Sequence, residues 1–171
     1  EAGDEMIHLS TGLPRNGKTL FTIQYVKDLA ERENRQVFYS GISAVTLPWT
    51  EIDAEKWYEC PQSAIILIDE AQRLFRPRGN GSQVPRYVSE LETHGHEGHD
   101  IFIITQHPML IDTNVRRLTE RHWHISRPDG ADKATVLSFK GVKEQPVTKA
   151  AIEDAERMEW SYPKELYGCY E

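Results

Sequence analysis

The sequence predicts an α/β fold in which helices cover both faces of a mostly parallel central sheet. Two observations favour this fold. A β-leaning run at residues 6–11 leads through a glycine-containing turn into a helix-periodic segment at residues 20–31, and the strand-like run at residues 36–40 completes a βαβ unit. The continuous aliphatic run at residues 64–68 has the character of a strand that is buried on both faces of a parallel sheet.

The turn after the first strand has the spacing of a phosphate-binding loop (P-loop), G-x-x-x-x-G-K-T. Glycine at both ends allows successive backbone N–H groups to face one anion, and the following helix adds its N-terminal N–H groups and the positive end of its dipole. The lysine can reach the β- and γ-phosphates, and the threonine hydroxyl is a hard oxygen ligand suited to Mg²⁺. We therefore predict ATP binding by the loop and the residue after it. These residues are Gly12, Leu13, Pro14, Arg15, Asn16, Gly17, Lys18, Thr19 and Leu20.

Composition places the chain among globular proteins. It has 171 residues, of which 39% are hydrophobic and 27% charged, enough for one domain with a core of its own. The net charge of −7 gives the chain no overall positive charge that would attract nucleic acid, so any contact with DNA has to be local.

Cys60 and Cys169 form neither a disulfide framework nor a zinc motif, which favours a reducing cytoplasm. No apolar run in the sequence is long enough to cross a bilayer.

Two carboxylates follow the aliphatic run at residues 64–68. Because the C-terminal ends of parallel strands meet the phosphate-binding loop at one sheet edge, Asp69 is expected to hold Mg²⁺ together with Thr19. Glu70 is then placed to activate the attacking water as a general base. The alternative is that both acids only cap the next helix. Their occurrence downstream of a phosphate-binding loop favours hydrolysis over binding alone.

Residues 72–87 hold four arginines among prolines and glycines. This composition predicts a mobile loop that contacts a polyanion, a neighbouring subunit or only solvent.

Helical character resumes at residues 88–94. Four histidines allow a metal interpretation, but their spacing lacks the helical pair or cysteine partners of a zinc site, so a polar turn is the preferred interpretation. These are His94, His96, His99 and His107.

A further buried run at residues 100–106 ends in polar residues. In ATPases with an additional strand, a polar side chain at this position contacts the γ-phosphate or its water. Gln106 is our candidate for this role and Thr105 the second one, with a strand-terminating hydrogen bond as the alternative.

Further on, Arg116 is assigned as an arginine finger that is donated across a subunit boundary, with Arg117 as the other candidate. A solvated helix face is the alternative for this pair.

The last third of the chain predicts a β-hairpin and a helix. Residues 122–127 and 134–140 have strand character and are separated by a turn signal. Thr148 is expected to cap a helix in which Ile152, Ala155 and Met158 share a face, followed by an aromatic tail that needs a surface to pack on.

These elements predict an α/β, three-layer P-loop NTPase domain with sheet order 5-1-4-3-2. It would span residues 1–171, with a polar tail at 1–5, a core at 6–140, and the C-terminal helix and aromatic tail at 141–171. We expect it to bind ATP and Mg²⁺ and to work as a homo-oligomer.

With these motifs assembled, the sequence resembles the zonular occludens toxin family, which includes the assembly ATPases of filamentous phages. The ordered set of motifs carries the resemblance more than any single one. The motifs are the phosphate-binding loop, Leu67 to Gln72, Leu91 to His94 with Gly98 to Ile101, Thr105 to Pro108, and Val115-Arg116.

The resemblance implies a cytoplasmic domain on the inner membrane of a bacterium, with a transmembrane segment and a periplasmic part beyond it. Such proteins are thought to use ATP to drive virion extrusion, which implies phage assembly or export proteins as partners. We therefore expect this chain to be an N-terminal domain that reaches the membrane through residues outside it. Gly95 departs from the family, where a basic residue is common. Nothing in the sequence argues for the toxin activity of the family name.

Three other interpretations stay open. A GTPase switch would need an [NT]-K-x-D motif to recognise the base. The segment Thr148-Lys149-Ala150-Ala151 has alanine where this motif requires aspartate. A docking module would have a structural nucleotide or none, but the chain retains the lysine, threonine and carboxylates that hydrolysis requires. A small-molecule kinase would need an acceptor pocket, which sequence cannot reveal.

Overall fold

The computed structural model of the chain describes residues 6–43, 45–93, 97–128 and 131–170. Its eight strands are β1 (Met6–Thr11), β2 (Val37–Ser40), β3 (Thr50–Glu51), β4 (Ile65–Ile68), β5 (Asp100–Ile104), β6 (Thr119–Ser126), β7 (Lys133–Lys140) and β8 (Glu156–Ser161). The α-helices are α1 (Lys18–Glu33), α2 (Arg86–Thr93), α3 (Thr113–Leu118) and α4 (Lys149–Asp154).

The described strands form one sheet in the order β3-β2-β4-β5-β1-β6-β7-β8. Pairing is parallel from β3 to β6 and antiparallel for β6–β7 and β7–β8. The mostly parallel sheet and the C-terminal hairpin are therefore confirmed. The full order differs from the five-strand prediction because β3, β7 and β8 extend the sheet. The other five strands, numbered along the chain, keep the relative order 5-1-4-3-2 within it.

Burial on both faces of the sheet explains why the sequence of β4 is continuously aliphatic. All four residues of β4 are at most 2% exposed, and they alternate between two hydrophobic clusters on opposite faces of the sheet. Ile65 and Leu67 pack in the cluster that contains buried residues of α1, while Ile66 and Ile68 pack with Val88 of α2 and Val115 of α3. Helices thus cover both faces, which confirms the three-layer prediction.

Two segments outside the central strands show how the rest of the chain packs. The region at residues 41–59 contains β3 and a 3₁₀ turn at Ala54–Glu59, and Trp57 is fully buried in the core beneath it. The predicted last helix is too long. Thr148 does cap it, accepting from the Ala151 N–H at 3.2 Å, but α4 ends at Asp154.

Met158, predicted on that helix, lies on β8 and is 49% exposed. Extended backbone is favoured at residues 156–161 because it pairs with β7 and directs Trp160 into the core beside α1. Among the described residues, no helix is long and apolar enough to cross a bilayer.

Candidate nucleotide-binding site

The phosphate-binding loop connects the end of β1 to the start of α1. Gly17 caps α1 in a left-handed conformation with φ of 94°, which a side chain would strain. A Cβ atom at Gly12 would lie 2.5 Å from the carbonyl oxygen of Ile125, so the close approach to β6 also requires glycine. The Gly12 N–H donates to the carbonyl oxygen of Gln106 at 3.2 Å, which joins the loop to the end of β5.

The structure brings the lysine and threonine of the loop together with the carboxylate after β4. The Thr19 hydroxyl donates to Asp69 Oδ2 at 2.8 Å, across 50 residues of sequence. Burial raises the pKa of Asp69, whereas the hydrogen bonds from Thr19 and from the Glu70 N–H lower it. Burial lowers the pKa of Lys18, and the nearby charges of Asp69 and Glu70 oppose that shift. These groups therefore share one electrostatic environment.

Glu70 sits in a left-handed backbone conformation with φ of 51° and ψ of 42°. Its Oε2 accepts from Gln72 Nε2 at 2.6 Å, and Gln72 Oε1 accepts from the Thr105 hydroxyl at 2.9 Å. A chain of hydrogen bonds thus links the end of β5 to the predicted general base. Gln72 was not among the predicted site residues, and Thr105 was the second candidate behind Gln106.

Gln106 and Arg116 lie in different surroundings. The Gln106 side chain is exposed, and its backbone carbonyl faces the phosphate-binding loop. The Arg116 guanidinium donates to the Ile111 carbonyl at 2.9 Å, to Glu144 at 2.9 Å and to Thr113 at 3.0 Å, all within its own chain. Use of Arg116 as an arginine finger would require these bonds to break. Arg117, on the same helix, is exposed.

The oxygen donors at the site fit Mg²⁺. Thr19 and Asp69 offer a hydroxyl and a carboxylate side by side, and Mg²⁺ is bound in proteins by one or two such oxygens together with nucleotide phosphates and water. A cage of several acidic or histidine ligands is not needed for this ion. The described residues contain no group of three or more potential metal ligands, so the histidine metal interpretation has no support there. His94 and His96 lie outside the described residues.

Two buried histidines hold the last residue of β1. The Lys143 N–H donates to His122 Nδ1 at 3.1 Å, so neutral His122 carries its proton on Nε2 and donates to the Thr11 hydroxyl at 2.7 Å. Thr11 in turn donates to His124 Nδ1 at 2.8 Å. Burial, the neighbouring His124 and His107 lower the pKa of His122 to about 3, and burial and His107 lower that of His124 to about 4. The segment that enters the phosphate-binding loop is therefore fixed by neutral hydrogen bonds.

The C-terminal aromatic tail covers the other side of the loop. A cavity of about 380 Å³ is lined by residues 15 and 17–20 on one side and by Arg127, Tyr162, Tyr167 and Tyr170 on the other. The Tyr162 hydroxyl donates to the Asn16 carbonyl of the loop at 2.9 Å. The sequence indicated only that this tail needs a packing surface, since no motif marks it as part of the site.

Comparisons with known proteins identify the family and the fold of the chain. A model of the family described as zonular occludens toxin (Zot) matches residues 47–171, beginning after the phosphate-binding loop. A protein of Pseudomonas phage Pf3 that carries the name assembly protein ORF301 is 31% identical over 173 residues, or 96% of this chain. The chain spans 57% of the length of that relative.

Two groups of solved structures resemble the fold. The N-terminal domain of zonular occludens toxin from Neisseria meningitidis has a TM-score of 0.83 and 30% identity, and the match covers 98% of this chain and 100% of that one. The genome packaging NTPase B204 of Sulfolobus turreted icosahedral virus 2, solved with AMPPCP, has a TM-score of 0.64 at 11% identity, covering 95% of this chain and 100% of that one. At that identity B204 supports the NTPase fold alone. By the family match and the relatives that cover nearly its whole length, the chain belongs to the zonular occludens toxin family.

Proposed function

We propose that this chain is the Mg²⁺-dependent ATP-binding and ATP-hydrolysing domain of a virion assembly and export motor encoded by a phage or prophage. The observation that carries the proposal is the 2.8 Å hydrogen bond between Thr19 and Asp69, because it joins the phosphate-binding loop to the doubly acidic end of β4. Two motifs that are distant in the sequence thereby converge on the place where a triphosphate and its Mg²⁺ would bind.

Each predicted residue has a task in this proposal. The backbone of residues 12–19 and the N-terminus of α1 bind the phosphates, and Lys18 offsets their charge. Thr19 and Asp69 would hold Mg²⁺, which when bound neutralises charge on the β- and γ-phosphates. Glu70 accepts a proton from the attacking water, while Gln72 and Thr105 fix the direction of its carboxylate. Gln106 and an arginine from a neighbouring subunit, Arg116 or Arg117, remain proposed contacts of the transferred phosphate.

The cellular setting is part of the proposal. The Pf3 relative carries the name of an assembly protein, and it is longer than this chain. We infer that the domain works as a homo-oligomer on the cytoplasmic face of the bacterial inner membrane, with phage assembly or export proteins as partners. Residues outside this chain would supply the membrane contact.

Substitution of Lys18 tests the proposal. We expect Lys18→Ala to abolish ATP binding and Mg²⁺-dependent phosphate release, because it removes the cation that contacts the β- and γ-phosphates. Lys27→Ala is the matched control, since Lys27 lies on the same helix but pairs with Glu31 on the exposed face. Binding is measured by calorimetry with AMPPNP, and turnover by phosphate release with Mg²⁺ or with EDTA. Binding and release that persist in Lys18→Ala, or a wild-type chain that binds no nucleotide, would overturn the proposal.

A further inference from the structure

The cavity beside the phosphate-binding loop has two chemically different halves. One half is the loop and the start of α1, which present N–H groups and the Lys18 ammonium. The rest of the lining consists of three tyrosines of the C-terminal tail and of Arg127, which directly follows β6. A volume of about 380 Å³ is within the range of small-ligand pockets. A nucleoside triphosphate has the same division, with an anionic chain at one end and a flat aromatic base at the other.

The aromatic half is held in place by contacts with the loop and with α1. Tyr162 donates to the Asn16 carbonyl at 2.9 Å, and Trp160 Nε1 donates to Gln24 of α1 at 2.6 Å. A Cβ atom at Gly17 would lie 2.5 Å from the Tyr162 ring, so the ring occupies the space that this glycine leaves open. At the far end of the tail, the Thr46 N–H donates to the Cys169 carbonyl at 2.8 Å. The tail is therefore preorganised against the phosphate site.

Of the tyrosines in the cavity, Tyr167 has the ring that is available to a ligand. Tyr162 already has the Arg127 guanidinium 4.9 Å from its ring centroid and Trp160 packed edge-on at 4.9 Å. Tyr170 is half-buried against the core cluster that contains α1. Tyr167 is 54% exposed and makes no ring contact with any other residue that the structure describes.

We propose that the C-terminal aromatic tail is the nucleobase-binding half of the site, in which the base of a purine nucleoside triphosphate stacks on Tyr167. Tyr162 and Arg127 form the wall beside it. This inference rests on the proposed function, because it requires the phosphates to be bound at the loop. Stacking depends on the π-face that every base has, so ATP and GTP are both accepted and the base contributes affinity more than selectivity.

Comparison of a nucleotide analogue with inorganic tripolyphosphate tests the inference, because both carry three linked phosphates and only the nucleotide carries a base and ribose. Calorimetry in the presence of Mg²⁺ is used to measure the dissociation constants of AMPPNP, GMPPNP and tripolyphosphate. We expect wild type to bind both nucleotides about tenfold tighter than tripolyphosphate, as one stacked base supplies. In Tyr167→Ala this advantage is expected to fall to about twofold or less, with the affinity for tripolyphosphate unchanged. Tyr167→Phe keeps the aromatic ring and is therefore expected to retain the advantage of the nucleotides over tripolyphosphate.

The outcomes separate the two proposals. Equal affinity of wild type for tripolyphosphate and both nucleotides would overturn the base site and leave the phosphate site intact. A full advantage of the nucleotides in Tyr167→Ala would overturn the assignment to Tyr167. If wild type binds none of the three compounds, both this inference and the proposed function are overturned.

Discussion

At the residue scale, Glu70 combines two features that do not serve packing. Its backbone is left-handed, which costs a residue other than glycine roughly 1–3 kcal/mol. Its carboxylate is oriented by Gln72, which is itself held by Thr105. Glycine would adopt this backbone with less strain but would provide no carboxylate. Under the proposed function, an acid is expected here despite the strain, because hydrolysis needs a carboxylate at this point of the sheet edge.

We predict that Glu70→Gln binds nucleotide but hydrolyses it slowly. The amide cannot accept a proton from water, and loss of a general base lowers kcat by roughly 10²- to 10⁴-fold. Affinity for AMPPNP should change little, because the loop at residues 12–19 is untouched. The check is phosphate release at saturating ATP, with Glu31→Gln on the exposed face of α1 as the control. Full turnover by Glu70→Gln would show that another group acts as the base.

The residues of the site differ in how far the sequence could predict them. The phosphate-binding loop, Asp69 and Glu70 are set by local spacing, because each motif follows one strand. Gln72 belongs to the motif at residues 67–72, but no local spacing marks its bond to Thr105 or the bond of His124 to Thr11, because these bonds join residues 33 and 113 positions apart. His124 meets Thr11 only because β6 pairs with β1 in a register that places these two residues opposite each other.

At the scale of elements, β8 shows why local periodicity was insufficient for the C-terminal region. The spacing of Ile152, Ala155 and Met158 fits one face of a helix, yet the helix ends at Asp154. Backbone groups on the free edge of β7 need partners, and residues 156–161 provide them as a strand. Trp160 then reaches the core beside α1, which stabilises the extended form. Tertiary pairing therefore overrides the helical pattern.

We predict that Trp160→Ala destabilises the domain by about 3–5 kcal/mol. Trp160 is 7% exposed, packs edge-on against Phe21 and donates to Gln24, so its removal leaves a cavity and an unpaired amide. Met158→Ala on the same strand is the control. Met158 is 49% exposed, and its loss should cost no more than about 0.5 kcal/mol. Urea unfolding of both variants measures the difference. Equal midpoints would show that β8 is not anchored through Trp160.

At the scale of the whole molecule, one edge of the sheet collects the ends of β1, β4 and β5. The parallel order of these strands could be predicted, because β1 opens a βαβ unit and the apolar runs of β4 and β5 require burial on both faces of a parallel sheet, which aligns the C-terminal ends of its strands. The closure of this edge by the C-terminal tail could not be predicted, because it depends on where the chain leaves β8. The phosphate half of the site thus follows from motifs, and the aromatic half from the fold.

Stability should depend on pH through the histidine pair at β6. The ordinary histidine pKa is 6.5, and the folded chain lowers it to about 3 for His122 and about 4 for His124. Below pH 6.5 the unfolded chain therefore binds protons that the folded chain excludes, and the free energy of unfolding falls as the pH is lowered. Above pH 6.5 both states are neutral and this contribution is fully present. The loss is about 1.4 kcal/mol per pH unit for each histidine until the folded pKa is reached.

We accordingly predict that wild type loses on the order of 2 kcal/mol of unfolding free energy per histidine between pH 7 and pH 5. His124→Gln should lose about half as much as wild type, because glutamine hydrogen-bonds without titrating. Comparing the two proteins cancels the contribution of the carboxylates to the pH dependence of the unfolding free energy. These include Asp69, whose raised pKa acts on that free energy in the opposite direction. Urea unfolding at the two pH values measures the slope, and NMR of the histidine C–H resonances checks it independently of stability. A His124 resonance that titrates near pH 6.5 in the folded chain would contradict the neutral network around Thr11, and with it the mechanism proposed for acid sensitivity.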